Sequence, residues 1–176
     1  MQHAFTIDYS GLARVLHTRV LVCIPFIQGE KPEFKQYEAI WDTGATNSAI
    51  TQRVINDLSL KPTGMAEVRH ADGKSMTETF LVNIVLPNKV MFGQVRVSKV
   101  NLIPDDSQKE EDRPQLLIGM DIIGAGDFVV TNYNKKTCLT FRLPSIERIN
   151  FVPQAQMHNI IEQKKHNRPF KGGRRR

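Results

Sequence analysis

The stretch that decides the fold is Ala39-Ile40-Trp41-Asp42-Thr43-Gly44-Ala45-Thr46-Asn47-Ser48. Phe34 to Trp41 reads as a strand that grows more apolar toward its end, so the chain passes from surface to core just before Asp42. Gly44 lets the backbone turn tightly and approach a neighbour closely. A carboxylate presented this way can be half of a catalytic pair. Two aspartates at hydrogen-bond distance cannot both ionise, so they share a proton. One acts as general base on a water; the other gives a proton to the substrate carbonyl oxygen. The titration then belongs to the pair. Asp-Thr-Gly occurs once in the chain, so such a pair needs two chains. The bare tripeptide is weak evidence, because its residues are common and turn-prone. Its surroundings carry the weight.

Upstream, His17 to Ile27 reads as a strand rich in β-branched residues, and Gly29-Glu30-Lys31-Pro32 as a turn. Downstream, Thr51 is placed to cap a short helix over Gln52 to Leu58. Glu67 to Ala71 and Lys74 to Thr79 flank Asp72-Gly73, the dipeptide of a type I′ turn. Few large apolar residues lie near that tip, so the hairpin is expected to project into solvent. Phe80 to Leu86 and Val90 to Val100 are expected strands separated by Pro87-Asn88. Asp105 to Arg113 reads as a solvated, charged loop. Gln115-Leu116-Leu117-Ile118-Gly119-Met120-Asp121-Ile122-Ile123-Gly124 gives a buried strand, a glycine and a short helical turn. Phe128 to Thr131 and Thr137 to Leu143 form a last hairpin. Ile146 to Val152 is expected to add one more strand, and Gln154 to Lys165 has helical spacing at Met157, Ile160 and Ile161.

The chain of 176 residues is long enough for one domain with a real core. Its composition, 40% hydrophobic and 24% charged, is that of a globular protein. The net charge of +6 is not spread over the chain. Residues 161–176 hold seven lysines and arginines against Glu162 alone, which leaves the first 160 residues neutral. We therefore divide the chain into a domain, 1–152, and a basic, flexible tail, 153–176. Cys23 and Cys138 both sit in apolar runs and are expected as free thiols in a reducing compartment. No run of about 18 apolar residues is present, so no membrane span is expected. The N-terminus has no charged region leading into an apolar one, so no signal peptide is expected and the cytoplasm is the expected location.

Apolar–Asp-Thr-Gly-Ala-Thr-x-Ser, then a short helix, a polar hairpin and later Leu-Leu-Ile-Gly-Met-Asp is an ordered set. It resembles the retropepsins, the retroviral-type aspartic proteases and their cellular and bacterial relatives, over roughly Leu21 to Leu143. The resemblance implies an all-β, closed, barrel-like fold with one or two short helices and a flap hairpin, working as a homodimer. It implies an aspartic endopeptidase acting on protein or peptide substrates without cofactor or metal. Asp42 would be catalytic, with Thr43, Gly44 and Ala45 completing the active-site loop. Thr43 would bond across to the partner's loop, and Gly44 would meet the substrate backbone. His70, Ala71, Asp72 and Gly73 would form the flap. Leu117, Ile118 and Gly119 would pack behind the catalytic loop, and Asp121 would brace the short helix.

The chain departs from the viral pattern in places. Thr46-Asn47 stand where viral members commonly carry two acids, and Met120 stands where they often carry an arginine. Both partners of an ion pair are thus absent together. Ala45 has no hydroxyl to offer the neighbouring carboxylate, unlike the Ser or Thr of pepsin-like relatives, which points to a pH optimum less acidic than pepsin's. Ile50, Val68, Met76 and Ile118 are apolar candidates for pocket walls, which suggests hydrophobic residues beside the scissile bond.

Other chemistries find little support. The five histidines show no metal-ligand spacing. Ser48 and Ser75 lack a nucleophile-elbow context. Gly124-Ala125-Gly126 is too short for a dinucleotide fingerprint. Two rival readings remain: an inactive dimer of the same fold that binds extended peptides, and a nucleic-acid-associated protein acting through its tail. Residues 164–176 suit nucleic acid or another acidic surface by charge.

Overall fold

The computed structural model describes residues 1–70, 73–102, 109 and 112–166. Among the described residues, the first compact unit, Met1–Ile146, contains ten strands, two short α-helices and a 3-10 turn over Tyr133–Lys135. In chain order these are β1 (His3–Asp8), β2 (His17–Cys23), β3 (Lys35–Trp41), β4 (Ala49–Ile50), α1 (Gln52–Asp57), β5 (Gly64–His70) and β6 (Gly73–Val85). There follow β7 (Met91–Lys99), β8 (Leu116–Ile118), α2 (Met120–Ile123), β9 (Asp127–Thr131) and β10 (Cys138–Leu143). A second unit begins at Glu147 and contains α3 (Val152–His166).

The larger sheet closes on itself. Its order is β2-β3-β8-β4-β7-β6-β5, and β6 pairs again with β2, so that the first six strands form a ring. This is the all-β, barrel-like closure expected from the sequence. Closure follows from a pattern of period two. In β2, Thr18, Val20 and Val22 point inward, and in β3, Tyr37, Ala39 and Trp41 do the same. Phe80, Val82 and Ile84 supply the matching face of β6. These side chains meet in one core with Ile50, Val97, Leu116 and Ile118. A ring of strands leaves no open edge to shield, so a small core suffices.

β5 and the first half of β6 extend beyond this ring as an arm. Their antiparallel ladder runs from Gly64↔Thr79 to His70↔Gly73. The sequence places Asp72-Gly73 at the centre of the turn. The ladder instead ends on Gly73, whose φ of +127° is one that side chains rarely tolerate. Ala71 and Asp72 lie outside the described residues.

A second sheet, β1-β10-β9, packs the termini of this unit together. β1 has no counterpart in the sequence reading. Phe5 and Ile7 alternate with Thr6 and Asp8, a pattern too brief to stand out in the sequence. Phe5 and Phe141 bring their rings within 5.8 and 5.1 Å of Trp41, and Phe128 stacks on it at 5.7 Å. The Trp41 indole N–H donates to the buried Thr18 hydroxyl at 3.0 Å. The last strand residue before Asp42 is therefore held on several sides.

Two local expectations change. Thr51 sits at the N-cap of α1, but its hydroxyl donates to Gln115 Oε1 rather than to the helix. Residues 146–151 form no strand, because no ladder partner lies beside them among the described residues. The Asp105 to Arg113 loop falls mostly outside the described residues.

Candidate active site

β3 and β8 run parallel, with Ala39, Ile40 and Trp41 opposite Leu116, Leu117 and Ile118. The ladder continues one step further, where Asp42 N–H donates to Ile118 C=O at 2.9 Å. Beyond that pair the two chains diverge into loops that lock together. Met120 N–H donates to Ala45 C=O at 2.8 Å, and Asp121 N–H to Thr46 C=O at 3.1 Å. Gly119 lies at the crossing. A Cβ there would fall 2.6 Å from the Asn47 carbonyl carbon and 2.9 Å from the Ala45 oxygen. Only a residue without a side chain lets the backbones approach this closely.

Ser48 and Asp121 complete the lock. Ser48 is fully buried, and its backbone N–H donates to Asp121 Oδ2 at 3.0 Å. Its hydroxyl donates to Asp121 Oδ1 at 2.8 Å and accepts from Gly119 N–H at 3.1 Å. Asp121 Oδ1 also accepts from Ile122 N–H at 3.0 Å. The carboxylate thus reaches out of α2 to grip the Asp42 loop, while Gly119 holds the N-cap position. Here a serine and an aspartate do the tying, and Met120, where viral relatives often place an arginine, is exposed. The sequence reading placed Ser48 at the end of the Asp-Thr-Gly-Ala-Thr-x-Ser pattern and rejected it as a nucleophile, but gave it no structural role. Its link to Asp121 spans 73 residues and has no local signature.

Asp42 itself is half-buried, and Thr43 and Gly44 are exposed. The Gly44 N–H donates to Asp42 Oδ1 at 2.8 Å, and Ala45 N–H to the Asp42 carbonyl at 3.2 Å. A Cβ on Gly44 would stand 3.1 Å from the same Oδ1. Proximity to the carboxylate, not an unusual φ, is what favours glycine there. The carboxylate keeps accepting capacity for a further partner.

The apolar wall residues divide. Ile50 and Ile118 are both fully buried in the core and cannot touch a ligand. Met76 and Val68 fall on opposite faces of the β5–β6 arm, since Val68 pairs with Ser75 and Met76 with Glu67. Ile40 and Leu117, paired across β3 and β8, occupy the face turned away from the core and are half-buried. Sequence reasoning missed Ile40, although a period of two around buried Ala39 and Trp41 marks it. Ile40 also lines a cavity of about 300 Å³ with Val100, Leu102, Pro114 and Gln115. His70 and Gly73 pair at the end of the arm, and Gly73 is exposed.

Among the described residues, no group of three or more His, Cys, Asp or Glu side chains is arranged to hold a metal ion. Cys23 and Cys138 are free thiols. No helix among the described residues is long and apolar enough to cross a membrane.

Two solved structures illustrate what the chain is similar to. A retropepsin-like aspartic protease from Rickettsia conorii is 16% identical, with a TM-score of 0.46, over 81% of this chain and 95% of that one. The EIAV protease in complex with an inhibitor is 19% identical, with a TM-score of 0.43, over 66% and 90% respectively. No curated protein matches the chain. The sequence profile of the gag-polyprotein putative aspartyl protease family matches residues 33–125, more than half of the chain and inclusive of both interlocked loops. The chain belongs to that family of retropepsin-like aspartic proteases.

Proposed function

We propose that this protein is an aspartic endopeptidase whose active site forms from two copies of the chain. The observation that carries the reading is the presentation of Asp42. It follows a strand whose last residue, Trp41, is buried, is fixed by backbone hydrogen bonds from both sides of a two-loop lock, and is itself half-buried with one donor, Gly44, on its carboxylate. One such carboxylate per chain is half of a proton-sharing pair. A two-fold axis beside Asp42 supplies the other half, since a two-fold contact apposes the same patch on both chains.

In this reading one Asp42 takes a proton from water while its counterpart protonates the scissile carbonyl oxygen. The water adds to the carbonyl carbon, and the C–N bond then breaks as the amine gains a proton. Thr43 is exposed, and among the described residues its hydroxyl has no hydrogen-bond partner within the chain, which supports its use across the two-fold axis. The β5–β6 arm, with His70, Ala71, Asp72 and Gly73 at its end, covers an extended peptide by strand addition. Ile40 and Leu117 give that peptide apolar side chains to rest on. Residues 1–152 serve as the protease domain and 153–176 as a tail. The free thiols Cys23 and Cys138 support a reducing, cytoplasmic setting.

The test is cleavage of an unfolded protein across acid to neutral pH as a function of chain concentration. A shared site makes specific activity rise with concentration in step with dimer measured by sedimentation. A chain that cleaves as a monomer, or an Asp42→Asn variant that still cleaves, refutes the shared-carboxylate mechanism.

A further inference from the structure

The start of the second unit has the form of a substrate for the site proposed above. Residues 147–151 lead into α3 with no strand or helix of their own. Among the described residues, no backbone–backbone hydrogen bond holds Arg148, Ile149 or Asn150. Their N–H and C=O groups are therefore available to a strand laid beside them. Ile149 is exposed, Phe151 is 61% exposed and Val152 59%. In an extended chain successive side chains point to opposite sides. Phe151 and Val152 would thus offer an apolar group to each side of the peptide bond that joins them. That bond lies at the entry to α3, where Val152 N–H donates to Asn150 Oδ1 at 3.0 Å and Ala155 N–H to Phe151 C=O at 3.0 Å. Helix ends open at little cost, and Pro153 has no N–H to lose.

Two other exposed apolar stretches lack this form. Ile24, Ile27 and Phe34 share theirs with Pro25 and Pro32, and a turn is closed there by Ile27 N–H on Glu30 Oε2 and Glu30 N–H on Ile27 C=O. Leu12 and Val15 lie where Ala13 N–H donates to Thr137 Oγ1 and Gly11 C=O accepts from Thr137 N–H. Either stretch would have to break these bonds to lie extended in a cleft.

We infer that the protein cuts its own chain at the bond between Phe151 and Val152. The inference rests on the peptidase reading and names a substrate for it. The arm pairs with the extended backbone around the bond, and Ile40 and Leu117 give its apolar side chains a surface. Water adds to the Phe151 carbonyl carbon and the C–N bond breaks. Phe151 keeps the new carboxylate, and the Val152 nitrogen takes a proton to become a new N-terminus. Residues 152–176 are released, and the net charge of +6, which lies in 161–176, leaves with them.

The test is intact-mass analysis of the full chain incubated from acid to neutral pH, with cleavage of an added unfolded protein followed in parallel. Two products are expected, one ending at Phe151 and one beginning at Val152, their masses summing to the chain plus a water. Asp42→Asn should stay whole. Phe151→Glu brings a charge to an apolar surface and should slow the cut at least about tenfold, whereas Phe151→Leu should keep it. Both variants alter an exposed side chain and should cleave the unfolded protein as the parent does. Cleavage of the unfolded protein with the 151–152 bond left whole overturns the inference and leaves the peptidase reading standing. So do new ends at another bond in place of this one, or equal rates for Phe151→Glu and Phe151→Leu. A cut that persists in Asp42→Asn belongs to another agent and also overturns it. If neither the chain nor the unfolded protein is cleaved, the peptidase reading falls and the inference falls with it.

Discussion

Asp42 and Asp127 are carboxylates at strand ends in the same fold, and the fold treats them in opposite ways. Asp127 opens β9 and is saturated. Arg142 donates to its Oδ2 from Nε at 2.9 Å and from Nη2 at 2.6 Å. Ser145 donates to Oδ1 at 2.6 Å, and Ile146 N–H reaches Oδ2 at 3.2 Å. Hydrogen bonds from Ser145 and Arg142 hold its pKa down to about 2. Asp42 receives one backbone donor on its carboxylate, while the rest of its loop is locked through main chain, Ser48 and Asp121. A structural carboxylate is fully satisfied. In the proposed peptidase, Asp42 is instead held through its neighbours, so that its oxygens keep capacity for another chain and a water.

The sharpest way to break this comparison is to remove the charge at Asp42. Asp42→Asn should lower kcat by roughly 10²–10⁴-fold or more, while thermal unfolding shifts by less than about 0.5 kcal/mol, as for a partly exposed polar site. A peptide cleavage assay beside a melting curve checks both; a large loss of stability would mean that Asp42 is structural, like Asp127.

Next in size is the crossing point. Gly119→Ala puts a methyl group where backbone already stands, so it should cost at least about 1–3 kcal/mol and reduce cleavage by shifting the Asp42 loop. Urea titration measures the first effect and steady-state kinetics the second. If the variant is as stable as the parent, the close approach at Gly119 is relaxed in solution.

Ser48→Ala probes the lock without touching its backbone path. It leaves the Gly119 N–H without its acceptor and the Asp121 carboxylate without one donor, for an expected loss of about 1–3 kcal/mol. Ser48→Thr keeps the hydroxyl and should recover part of it. Recovery of stability without activity would separate holding the loop from aiming it.

The smallest expected effect is at Asp127 and appears only in acid. A carboxylate whose folded pKa lies below its unfolded value of about 4 stabilises the fold above that pH. That contribution is lost as pH falls from there toward about 2, where the folded group takes up its proton. Denaturation midpoints measured down this window should fall less steeply for Asp127→Asn than for the parent. Equal slopes would show that the cluster at Arg142 and Ser145 does not form in solution.

The β3 strand, the Asp42 turn and the Leu117-Ile118-Gly119 segment could be read in sequence, because each is a local pattern of apolar residues, turn residues and glycine. The α1 helix could be read too, though Thr51 spends its hydroxyl on Gln115 instead of the helix end. What escaped was long-range. β1 finds β10 across more than a hundred residues, and its short alternation at Phe5 and Ile7 is too brief to stand out. Ile50 and Ile118 read equally well as pocket walls until closure of the sheet places both in the core.

By itself the sequence determined that one Asp-Thr-Gly turn follows a strand diving into a core, and that the charge of the chain resides at its C-terminal end. Those are properties of neighbours along the chain, set by hydrophobic periodicity and by the residues a turn accepts. Only the tertiary structure decided that Ser48 and Asp121 would join the two loops, that Gly119 would sit against Asn47, and which apolar side chains would face away from the core. These follow from strand pairing between distant segments. Parallel alignment of β3 with β8 fixes in space what no local pattern can encode.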